Sequence, residues 1–154
     1  MKAADLTQGG FYGHFSSKDG LLMEVIAHTF EKSRNRFLVG LEDKDGLSWL
    51  EAIVRRLMSR EHRDCMGESC PTTSLATEVA RASDDVKEVF EAEVLKTIDA
   101  MEKKMPKSKT LSARERAIAI TAIGIGAVSL ARAVKDPELS DRILKIARKF
   151  ALTS

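Results

Sequence analysis

The residues best equipped for chemistry fall in two short stretches. One is His62-Arg63-Asp64-Cys65, with Cys70 five positions on, which puts three soft ligands in one segment. A structural zinc site takes four ligands at set spacings; no fourth ligand and no common zinc spacing is in view, so no metal is expected. Two thiols in one loop can instead be oxidised to a disulfide, which would pull on the neighbouring helices. The other stretch is Thr7-Gln8-Gly9-Gly10-Phe11-Tyr12. Thr7 can cap a short helix whose exposed face offers Thr7, Gln8, Gly9 and Tyr12, small or hydrogen-bonding groups that reach phosphates and base edges in a major groove. Enzyme chemistry finds no foothold. There is no glycine-rich phosphate loop, no nucleophile elbow and no carboxylate pair set apart from solvating charge, while His14, His28 and His62 stand on separate segments. No catalytic residue and no cofactor are expected.

The elements that must position these residues read as helices. The chain has 154 residues, 44% of them apolar and 31% charged, enough for one core of ordinary domain size. Its formal charge of +2 singles out no partner. Apolar spacing is helical nearly throughout and strand-like alternation is scarce, so the fold class is all-α. Leu22, Ile26, Phe30, Phe37 and Leu41 form one stripe behind the capping box Ser16-Ser17-Lys18-Asp19, which predicts a long helix over 18–39. A second box, Ser48-Trp49-Leu50-Glu51, opens a helix through Met58 that ends near Arg63. Residues 64–72 read as a loop, followed by a short helix around Leu75–Ala80. Ser83 caps a long helix that runs to Pro106, and Ser112-Ala113-Arg114-Glu115 opens another that is apolar on almost every side and must be covered all round. Asp136-Pro137 starts the last one.

Cysteine usage and the opening Met-Lys-Ala-Ala-Asp, which is no apolar leader, point to a cytoplasmic location. The longest uncharged stretch, Ala117 to Ala131, falls short of the roughly 20 residues that span a membrane, and reads as a buried helix.

The segment Ala3-Ala4-Asp5-Leu6-Thr7-Gln8-Gly9-Gly10-Phe11-Tyr12-Gly13-His14-Phe15-Ser16-Ser17-Lys18-Asp19-Gly20-Leu21-Leu22 resembles the helix-turn-helix of the tetracycline-repressor (TetR) family of bacterial transcription regulators. Gly9, Tyr12, His14, Phe15, Lys18 and Leu21 fall at the family's spacings. The resemblance implies that Thr7, Gln8 and Gly9 belong to the recognition helix and that Tyr12 and His14 sit beside the DNA backbone. It places Lys18 on a phosphate at the start of the long helix. Asp5 replaces the usual turn glycine and tolerates the same left-handed conformation, while Gly10 and Gly13 replace larger residues. The family's first helix and most of its second would precede this motif. The chain is accordingly expected to be a truncated regulator whose own grip on operator DNA is weak or absent.

The resemblance also divides the chain into a helix-turn-helix remnant, 1–17, and a ligand-binding and dimerisation domain, 18–154. It implies a ligand-responsive regulator, a repressor, acting as a homodimer with no membrane association. Phe37, Trp49, Met58, Phe90, Val94, Met101 and Ile120 are the expected cavity lining, and so apolar a set suggests an apolar or aromatic inducer. Ile118, Ala122 and Ile125 on the small-residue helix, with Leu139, Ile143 and Ile146 on the last, are the expected two-fold interface. The competing reading is a dimeric small-molecule-binding module that does not touch DNA.

Overall fold

The computed structural model describes residues 17–65 and 70–153. They are all-α, with seven helices: α1 (Lys18–Leu38), α2 (Gly46–Leu57), α3 (Arg60–Asp64), α4 (Pro71–Val79), α5 (Asp84–Glu102), α6 (Ala113–Ala133) and α7 (Pro137–Thr153). Thr7, Gln8, Gly9, Tyr12 and His14 lie outside the described residues.

Local chemistry sets most boundaries. Ser112 and Glu115 close a reciprocal capping box on α6. Asp136 accepts from the amides of Glu138 and Leu139, and Pro137 fills the first turn of α7, where an amide proton would be surplus. At α1 the cap is Ser17 rather than Ser16: its hydroxyl accepts from the Gly20 amide at 3.0 Å. The α2 start also differs from the expected one. Asp45 is the N-cap, Gly46 already lies in the helix, and the Ser48 hydroxyl donates back to the Asp45 carbonyl instead of capping. Ser83 precedes α5 as expected, but its hydroxyl donates to Asp19 across the bundle.

The segment read as one helix to Arg63 is two. It breaks at Met58, and Ser59 recaps the chain by accepting from the His62 amide at 2.9 Å. Gly40 supplies the left-handed residue past the end of α1 (φ 71°), and Arg56 donates to the Phe37 and Val39 carbonyls there, placing a cation on the negative end of the helix.

Ile26, Phe30, Ser33 and Phe37 recur on one face of α1 and are buried. That face feeds two apolar clusters. Ile26, Phe30, Val79 and Val86 pack at one end of the bundle. Trp49, Leu50, Ile53, Val54, Met58, Ile120, Val128 and Leu144 form the larger core at the other. Helix α6 is long and apolar enough to cross a membrane by length and composition, and it packs here against α5 and α7. It is not covered all round: Ile118 and Leu130 stay about half exposed, which leaves one flank of the helix bare.

Candidate functional site

A cavity of about 60 Å³ opens between the two clusters, with walls almost wholly apolar. Helices α1, α5 and α6 supply most of the lining, through Phe30, Phe37, Val94, Met101, Thr121 and Gly124. Phe37, Val94 and Met101 are therefore where the sequence pattern puts them. Trp49, Met58 and Ile120 are not on the wall: each is at most 1% exposed and belongs to the solid core beside it. Phe90 stands edge-on to Phe30 with ring centroids 5.3 Å apart, as part of the smaller cluster. Apolar periodicity marks all seven as inward-facing, but it cannot separate a packed interior position from one beside a void.

Arg34 and His62 also line the cavity, and the sequence pattern missed them. Arg34 of α1 reaches Glu93 of α5 at 2.6 Å, and Lys96 reaches the other carboxylate oxygen at 2.6 Å. The Glu93 side chain is 6% exposed. Burial pushes its carboxyl up, yet the bonds from Lys96 and Arg34 outweigh burial and hold it below the usual carboxylate range.

His62 enters the same wall from α3. Its Nδ1 lies 2.6 Å from the Leu57 carbonyl, which makes Nδ1 the protonated nitrogen, and Nε2 accepts the Cys70 amide at 3.4 Å. Its ring stands edge-on to Phe37 at 4.9 Å. Arg132 of α6 fastens this corner by donating to the carbonyls of His62 and Arg63 and to the Thr73 hydroxyl. Arg60 and Arg63 both bond Asp141, which ties α3 to α7 as well.

Burial, first, and the nearby Arg132 and Arg36 charges depress the proton affinity of His62, against the Leu57 carbonyl, which favours the cation. An unfolded chain takes up this proton near pH 6.5 while the folded one resists it until lower pH. Stability should thus be intact above pH 6.5 and fall as pH drops towards the lower folded value, by up to about 1.4 kcal/mol per pH unit. Urea midpoints at about pH 7.5 and about pH 5.5 check this. His62→Asn should flatten the difference, and an unchanged slope in that variant would assign the effect elsewhere.

A second feature lies on the outside. Leu139 and Ile146 of α7 are about half exposed beside the bare flank of α6, and Ala122 is exposed as well. A shallow groove between the two helices is lined by Ile123, Gly126, Leu130, Leu139, Ile143 and Ile146. Ile143 is half-buried and packs partly against the core, whereas Ile125 faces the cavity. Of the six expected interface residues, Leu139, Ile143 and Ile146 line this groove, and Ile118 and Ala122 are exposed on α6. Lys18 is exposed in the first turn of α1. No group of three or more metal-ligating side chains occurs among the described residues.

No family model matches the chain, and it matches no curated protein. The residues that the sequence pattern missed left some trace: Ser59 three positions before His62 is a cap spacing, and Arg34 and Glu93 each interrupt an otherwise apolar helix face.

Proposed function

We propose that the protein is a ligand-responsive transcriptional repressor of the TetR type, binding operator DNA as a homodimer and released by an apolar or aromatic inducer. The observation that carries this reading is the position of α1. That helix walls the cavity through Phe30 and Phe37, and it starts at Lys18, within the segment that resembles a helix-turn-helix.

A cavity of about 60 Å³ is smaller than the roughly 150 Å³ that admits benzene. A ligand of aromatic size must therefore displace the helices around it, and displacing α1 shifts whatever α1 carries at its start. Two recognition helices need a separation near 34 Å, or a multiple, to read a palindrome. A bare α6–α7 face on each copy would supply the pairing, and inducer-driven movement of α1 would spoil the spacing.

Selection from random-sequence duplexes with the protein as its gene encodes it tests this reading. The expected result is one enriched palindrome with half-sites about 10 base pairs or a multiple apart, and affinity that falls linearly in log salt. Absence of enrichment would defeat the regulator reading and leave a dimeric small-molecule-binding module.

A further inference from the structure

We propose that Cys65 and Cys70 form a built thiol pair that a hydroperoxide converts to an intrachain disulfide, joining the end of α3 to the start of α4. Both are free thiols and both are half-buried. Cys65 caps the end of α3, with its amide on the Glu61 carbonyl at 3.0 Å. Cys70 is the N-cap of α4, and its amide donates to His62, one helical turn before Cys65. The His62 ring therefore brings the two cysteine backbones to one corner, and Arg132 secures that corner from both sides through the His62 and Arg63 carbonyls and the Thr73 hydroxyl.

The corner is also charged in the useful sense. Arg36 Nη1 lies 3.9 Å from the Cys65 sulfur, and the Arg132 guanidinium is within electrostatic reach of both thiols. Asp64 and Glu61 are the nearby acids, and Arg63 and Arg36 pair with them. A cation beside the sulfur steadies the negative charge it carries during attack. Cys65 is accordingly the attacking thiol and Cys70 the resolving one.

In the first step the Cys65 sulfur attacks the peroxide, the O–O bond breaks, and an alcohol or water leaves with the thiol proton, so that the sulfur is oxidised to a sulfenic acid. In the second, the Cys70 sulfur attacks Cys65, the S–O bond breaks, and hydroxide leaves as water with the Cys70 proton. Two electrons pass from the thiols to the peroxide, and a dithiol restores the pair by exchange. His62, Cys70, Thr72 and Thr73 line the cavity, so the bond would brace its wall. The chemistry stands whether or not the cavity takes an inducer.

The two cysteines share the tryptic peptide between Arg63 and Arg81, and Glu68 offers a cut between them. After stoichiometric hydrogen peroxide, the full chain should yield this peptide lighter by two hydrogens and closed to alkylation, with its halves held together after cleavage at Glu68. Dithiothreitol should restore both thiols. In Cys70→Ser, dimedone should trap a sulfenic acid at Cys65, formed about tenfold faster than on free cysteine. Arg36→Gln should cost about tenfold in that rate, and Arg36→Lys should keep most of it. Undiminished alkylation of both thiols, cross-linking only between chains, or a rate equal to that of free cysteine would overturn the proposal. Should Arg36→Gln fail to fold, the wild-type rate and Arg36→Lys still decide.

Discussion

Under the proposed pairing through α6 and α7, replacing Ile146 with Asp is expected to turn a dimer into a monomer, with the sedimenting mass falling from twice 17.0 kDa to 17.0 kDa at micromolar concentration. Ile146 is 55% exposed in the single chain, so the carboxylate stays hydrated there and the fold should barely register the change. In a two-fold interface the same residue appears twice, and each buried, unpaired carboxylate costs at least about 2 kcal/mol. Two such penalties weaken association by about a thousandfold. Gly126 gives an independent check on the same face. Nothing lies within 4 Å of a Cβ added there, so Gly126→Ala adds a methyl without a clash in the single chain but would hold two copies apart at a close-packed interface. A wild-type chain that already sediments as a monomer, or an Ile146→Asp chain that remains dimeric, would move the pairing away from α6 and α7.

That face could be anticipated from sequence only in part, and the reason is physical. Ala117, Ala119, Ala122, Gly124, Gly126 and Ala127 mark α6 as a helix that neighbours can approach closely, but small residues all round do not say which side is left bare. Only the placement of α2 decides that Gly124 meets Met58 and Leu57 while Gly126 meets open space. Caps carried more information. Ser112 with Glu115, and Asp136 with Pro137, satisfy free amides within their own few residues, so nothing distant can overrule them. Ser48 failed as a cap because Asp45 and Gly46 start the helix earlier, with the Gly46 amide taken by the Lys104 carbonyl from far along the chain. The cavity was the least legible feature. Its apolar lining looks like core in one dimension, and its Arg34 pairs with Glu93, which lies 59 residues away.

The Arg34–Glu93 contact carries the second large expected effect, because it joins the cavity wall on α1 to the one on α5. Arg34→Met should destabilise the fold by about 3 kcal/mol, since it leaves a carboxylate 6% exposed with Lys96 as its remaining cation. Lys96 keeps the loss at the lower end of what a broken buried pair costs, but its own side chain is 61% exposed and it cannot replace the bond between helices. The double change Arg34→Met with Glu93→Leu should come back to within about 1 kcal/mol of wild type, because apolar side chains of similar volume need no partner. Acid sensitivity gives a separate reading. Glu93 is held below its ordinary value of 4.5, so its contribution is present above that pH and lost as pH falls through the lower folded value. The double variant should lose that part of the acid slope, while the slope due to His62, which begins near pH 6.5, persists. Chemical denaturation of the four members of the cycle at neutral and acid pH checks both halves. A single variant that costs less than about 1 kcal/mol, or a double variant no better than the single, would mean that apolar packing of α1 on α5, and not the ion pair, holds the cavity walls together.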